Sequence, residues 1–190
     1  MLTTDSIVSL YWRQSTSNRT LRAGLLMIAA VCLLTVSAQF KVPYYPVPMT
    51  MQTFVVLLLG MTYGSKLALG SVIAYLCLGA AGAPVFSGGG GIAYFTGPTG
   101  GFLLGFVAAV AFTTIAARWG VAKNFFVAFI FLAIADMLIF ICGIAQLTFV
   151  VGDLDKALAL GFYPFIIGDL SKVLLVAAVV VLAYKKRPQH

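Results

Sequence analysis

Charge is what this sequence has least of. Of its 190 residues only 9% are charged, where a soluble globular domain carries about a quarter. Histidine is nearly absent as well: the one copy is His190, at the C-terminal end. No Ser/His or Cys/His pair can therefore be assembled in a site, which excludes the common nucleophilic hydrolases. Cys32, Cys77 and Cys142 lie apart in apolar runs without metal-type spacing and are expected as small core residues. No GxxxxGK[ST] occurs, and Gly64-Ser65-Lys66 is a turn, so the chain is not expected to hydrolyse ATP. No cofactor or metal is expected, and the chain is read as not an enzyme.

What is present is apolar sequence. Hydrophobic residues make up 62% of the chain, and the mean hydropathy is +1.05. The expectation is an all-α integral membrane protein forming a single domain over residues 1–190. Six stretches approach the length of about 20 residues that a span needs: Ala23–Phe40, Met49–Tyr63, Leu67–Ala83, Gly100–Ala117, Asn124–Val151 and Pro164–Tyr184. The second is short and the fifth long. Residues 1–22 form a polar, basic segment ahead of the first span, read as an uncleaved cytoplasmic segment rather than a signal peptide. Residues 185–190 form a cytoplasmic tail.

Basic residues fix the expected orientation. With six spans and both termini inside, the inner side holds Arg13, Arg19, Arg22, Lys66, Arg118, Lys123, Lys185, Lys186 and Arg187. The outer side holds Lys41 and Lys156 alone. The net charge of +7 is thus a topology signal, and no nucleic-acid partner is expected. The longer connections all fall outside: "KVPYYPVP" (Lys41–Pro48), whose prolines favour an extended path, "APVFSGGGGIAYFTGPTGG" (Ala83–Gly101) and "GDLDKALALGFY" (Gly152–Tyr163). Such a distribution fits capture of a ligand from the outer face.

Against this background two charges stand inside the last span. Asp169 and Lys172 are spaced i, i+3 and share a helix face. Ionisable residues in a membrane are costly and mark sites by default, and a buried pair seldom repays its desolvation as a stability device. The pair is placed in the outer half of the membrane, as a site rather than a packing pair. Asp136, near the middle of the fifth span, is expected to hydrogen-bond between helices, at a different depth from Asp169. Thr50 and Gln52 stand at the outer end of the second span, as ligand contacts or as a helix cap. Gly88–Gly91 can approach a ligand closely. The apolar Val85, Phe86, Ile92, Tyr94 and Phe95 around them make the loop a lid. Thr99 is expected to cap the fourth span.

Three blocks, "PVPMTMQTFVVLLLG", "GAAGAPVFSGGGGIAYFTGPTGGFLLGF" and "GDLSKVLL", resemble the BioY family over about Val42–Leu175. That family comprises the biotin-specific substrate-binding (S) components of energy-coupling factor (ECF) transporters. The resemblance implies an S-component-like bundle in the cell (inner) membrane. It implies high-affinity biotin capture outside, then delivery with a transmembrane coupling protein and cytoplasmic ATPase subunits. It supports Asp169 and Lys172 as the ligand pair most directly. Gly89 and Gly90 of the loop follow, and then Thr50, Gln52, Phe86, Tyr94 and Tyr163. Lys172 faces either the ureido oxygen or the valerate carboxylate. The first span lacks a clean Ala-x-x-x-Ala seam, which leaves the docking mode open. The alternative is an ATPase-independent or proton-linked small-molecule carrier acting as a homo-oligomer. An assembly subunit that binds no small molecule is a third reading.

Overall fold

The computed structural model describes residues 19–186. The expected cytoplasmic segments fall mostly outside the described residues, Arg13, Arg187 and His190 among them. The rest is dominated by helices: α1 (Arg19–Gln39), α2 (Gln52–Thr62), α3 (Ser65–Ala80), α4 (Ala93–Thr96), α5 (Gly100–Arg118), α6 (Phe125–Val151), α7 (Leu154–Gly161) and α8 (Ile166–Lys185). A two-residue antiparallel ladder, β1 (Lys41–Val42) with β2 (Met49–Thr50), precedes α2 and pairs Lys41 with Thr50.

Four segments are long and apolar enough to cross a membrane: Thr20–Gln39, Gly100–Arg118, Phe125–Val151 and Leu154–Lys185. Helices α2 and α3 are shorter, with 11 and 16 residues. At about 1.5 Å per residue, α2 covers roughly 16 Å, half of a hydrocarbon core. It is shorter than expected because Met49 and Thr50 form β2 instead of a first turn. Non-helical backbone at that depth is tolerated only where protein satisfies its polar groups, and Thr50 meets that condition in the site below.

The burial pattern is that of a membrane bundle. On α8 the face carrying Val173, Val176, Ala177 and Val180 is buried, while Ile167, Leu170, Leu174 and Leu182 are exposed. On α6 an outward stripe runs Phe126, Ile130, Ile134, Met137 and Ile141, at helical spacing. Large apolar side chains facing outward along whole helices are stable against lipid tails, not water.

Close packing sets where the helices lie. A Cβ on Gly100 would run into the Phe95 carbonyl, and one on Gly101 into that of Cys142, so α5 lies backbone-to-backbone against α6 at the level of the lid loop. The connection over residues 152–163, expected to face outward, is largely helical rather than a loop. Asp153 caps α7 by accepting from the Lys156 N–H at 2.7 Å, and Gly161 packs onto Ile144 and Leu147 of α6. Helix α7 therefore folds back along α6, and α8 starts well short of the C-terminal end of α6.

Candidate functional site

The register of α6 against α8 builds the site. Phe140 and Phe165 meet edge to face, with centroids 6.3 Å apart. The helices run antiparallel, so one turn inward from each ring lie Asp136 and Asp169. The sequence led us to expect the two carboxylates at separate depths; instead both line one cavity. The fold-back of α7 is the cause, because it lowers the start of α8 to the level of mid-α6.

Within that cavity Lys172 is the organising group. Its ammonium donates to Asp169 Oδ1 at 2.5 Å and to the backbone oxygen of Thr50 at 2.7 Å. Asp169 and Lys172 are 4% and 7% exposed, so water screens the pair little. Thr50 thus contributes through its carbonyl, while its hydroxyl donates to Gln52 Oε1 at 3.1 Å. Gln52 is buried and continues the chain of bonds, its Nε2 donating to the Tyr75 hydroxyl at 2.7 Å. Tyr75 in turn donates to the Val85 carbonyl at 2.9 Å. A polar relay thereby runs from the second span through α3 into the lid loop.

The loop closes one side of the cavity with aromatics. Phe86 is buried, packs against Tyr75, Tyr94 and Phe95, and lines the cavity together with Tyr94. Gly89, at φ +132°, occupies backbone space that favours glycine and bridges to Phe86. Gly89 and Gly90 shape this turn without lining the cavity. Gln146 of α6 pins the loop by donating to the carbonyls of Phe95 at 2.7 Å and Gly97 at 2.8 Å. On the opposite rim the Lys41 ammonium donates to the Ser87 carbonyl. Thr99 precedes α5 but makes no side-chain cap bond, and it faces the cavity instead. Tyr163 is not brought to the cavity: it precedes α8, is 60% exposed and lies beside Phe162 with the two rings tilted.

The deep cavity has a volume of about 60 Å³. An outer groove of about 420 Å³ shares Pro48, Ser87, Tyr94 and Thr99 with it. Lys41, Tyr44 and Pro98 form part of that groove's wall. A third cavity, about 130 Å³, lies between α6 and α8 and also touches both carboxylates. No group of three or more His, Cys, Asp or Glu residues suited to a metal occurs among the described residues.

A small chamber that holds a buried ion pair and adjoins a larger groove has the form of a ligand pocket. Comparison with known proteins gives the family. Residues 13–189 match the BioY family. The chain belongs to it. The "Biotin transporter BioY" of Thermotoga maritima is 36% identical over 156 residues, covering 81% of this chain and 90% of that protein. The "Probable biotin transporter BioY" of Pyrococcus horikoshii is 39% identical over 154 residues, covering 80% and 88%. A solved structure described as the S-component for biotin from an ECF-type ABC transporter superposes with a TM-score of 0.78. It is 23% identical, covers 91% of this chain and 96% of its own, and shows that the two share a fold. Membership of a transporter family agrees with the expectation that the chain is not an enzyme.

Gln146 and Tyr75 are the residues that sequence reading missed. Gln146 had a legible signal, being an amide inside a long apolar helix, where a buried polar group needs a partner. Tyr75 had none, since a tyrosine in an apolar helix reads as core.

Proposed function

We propose that this chain is the S component of an ECF-type biotin transporter, capturing biotin at the outer face of the cell membrane and delivering it inward. The observation that carries the reading is the buried Asp169–Lys172 pair at the floor of an outward-connected cavity. Biotin carries a ureido group with two N–H donors and a polar carbonyl, all of which need charged or polar partners away from water. Asp169 accepts a ureido N–H and Lys172 completes the polar end. Thr50 and Gln52 support the ammonium and the lid loop, and Phe86 and Tyr94 cover the fused rings. Small-molecule sites usually have volumes of about 300–1,000 Å³. The deep chamber alone falls below that range and the outer groove lies within it. The ring system therefore takes the deep end, displacing the loop side chains slightly, and the aliphatic chain extends into the groove.

The topology that serves this role has six spans, both termini in the cytoplasm and one membrane domain. Helices α2 and α3 make up the two short spans, with β2 lengthening the first of them. Energy comes from partners, a transmembrane coupling protein and cytoplasmic ATPases, because this chain has no phosphate-binding loop. Uptake of labelled biotin by cells lacking their own biotin transport tests the assignment. Accumulation that needs both this chain and a coupling module, and stops when the module's ATPases are inactivated, supports it. Equal uptake by this chain alone, abolished by collapsing the proton gradient, favours the proton-linked carrier instead.

A further inference from the structure

Asp136 is the one charged residue of the cavity that makes no hydrogen bond or ion pair with a described residue. It is 3% exposed, and its Oδ1 is the only buried side-chain oxygen or nitrogen without a hydrogen-bond partner among the described residues. Leaving a buried polar atom unsatisfied is costly, more so for a charged group, and such atoms are rare in folded proteins. The expected interhelical hydrogen bond is not made. Instead Asp136 lines the cavity whose floor carries Asp169 and Lys172. It reaches that cavity from α6, whereas the ion pair comes from α8.

A cyclic urea directs its two N–H bonds to opposite sides of its carbonyl. Recognising it fully in a dry site takes two acceptors and one donor. From α8 come one carboxylate and one ammonium; from α6 comes a second carboxylate with a free oxygen. The geometry points to Asp136 as a specificity-determining residue: its carboxylate accepts the second N–H of a cyclic urea whose first N–H goes to Asp169 and whose carbonyl oxygen takes a bond from Lys172. This rests on the biotin reading and deepens it. The oxygen can accept whether or not Asp136 carries a proton on its other oxygen, so the role does not depend on its charge state. A site built to bond an N–H rejects analogues that lack it far more strongly than an apolar pocket rejects a size change.

The test is calorimetric titration of detergent-purified full-length protein with biotin and two carbamate analogues. Each analogue has one ring N–H replaced by oxygen. The parent is expected to bind both analogues at least about tenfold more weakly than biotin. Asp136→Leu is expected to bind biotin about tenfold more weakly and to lose discrimination against one analogue. Asp136→Asn keeps an acceptor oxygen, so it should retain affinity within severalfold and discriminate against both. The ligand-free Asp136→Leu protein should melt no lower than the parent, since an unsatisfied buried atom has been removed.

An Asp136→Leu protein that binds and discriminates as the parent does overturns the inference and leaves the biotin reading intact. Should that variant not fold, the parent decides: an analogue bound as tightly as biotin overturns the inference, and weakening of both supports it. Folded parent protein that gives no heat with biotin overturns the inference and the biotin reading together.

Discussion

Lys172 donates to the backbone oxygen of Thr50 at 2.7 Å, joining positions 122 residues apart in the chain. One ammonium satisfies both the buried carboxylate of α8 and a carbonyl at the end of β2. Removing it strands both. Lys172→Met should lower stability by about 3–5 kcal/mol, the usual effect of breaking a buried pair from one side. The Asp169→Asn/Lys172→Met double variant should be less destabilised than Lys172→Met alone, because position 169 then leaves no buried charge stranded. Thermal melts of the parent and the two variants in one detergent check this, and biotin binding should be lost in the double variant whatever its stability.

Tyr75 links the second span to the lid. Its hydroxyl accepts from Gln52 and donates to Val85, so Tyr75→Phe breaks two bonds while keeping the ring against Phe86. The expected stability loss is about 1–3 kcal/mol. Biotin should dissociate faster from this variant, which stopped-flow displacement would detect. An unchanged dissociation rate would mean that the relay does not hold the lid.

Gln146 holds the other side of the loop through the carbonyls of Phe95 and Gly97. Gln146→Leu should speed amide hydrogen exchange in residues 93–99 and leave α8 unaffected. It should also weaken biotin, through a larger ordering cost on binding.

Gly101→Ala places a methyl group against the Cys142 carbonyl. Backbone cannot yield as a flexible side chain does, so α5 must move away from α6. The expected loss is about 1–3 kcal/mol, as for overpacking generally, read as a lower melting temperature. Gly24, where a Cβ meets nothing within 4 Å, is the control, and Gly24→Ala should melt at or above the parent's temperature.

Particular residues show how far the sequence could be read. The spans α1, α5, α6 and α8 were legible as long apolar runs, and Asp169 with Lys172 was legible as two charges one turn apart within such a run. Both are local patterns. The carbonyl of Thr50 was not legible, since a backbone oxygen has no side-chain signature and its exposure depends on β2 replacing a helical turn. Nor was the meeting of Asp136 with Asp169. That depends on α7 folding back along α6, which follows from Gly161 packing on Ile144 and Leu147, a long-range contact that spacing along the chain cannot express. Thr99 was legible as a helix start, but not as a residue whose side chain would turn from its cap to the cavity.

The most direct test of the account is calorimetric titration of biotin into purified parent protein beside Asp169→Asn. The account predicts tight binding by the parent. In the variant it predicts affinity lower by about a hundredfold or more, as expected when a partner of a buried charge pair is lost. Equal affinity in the two folded proteins, or no binding by the parent, would contradict it.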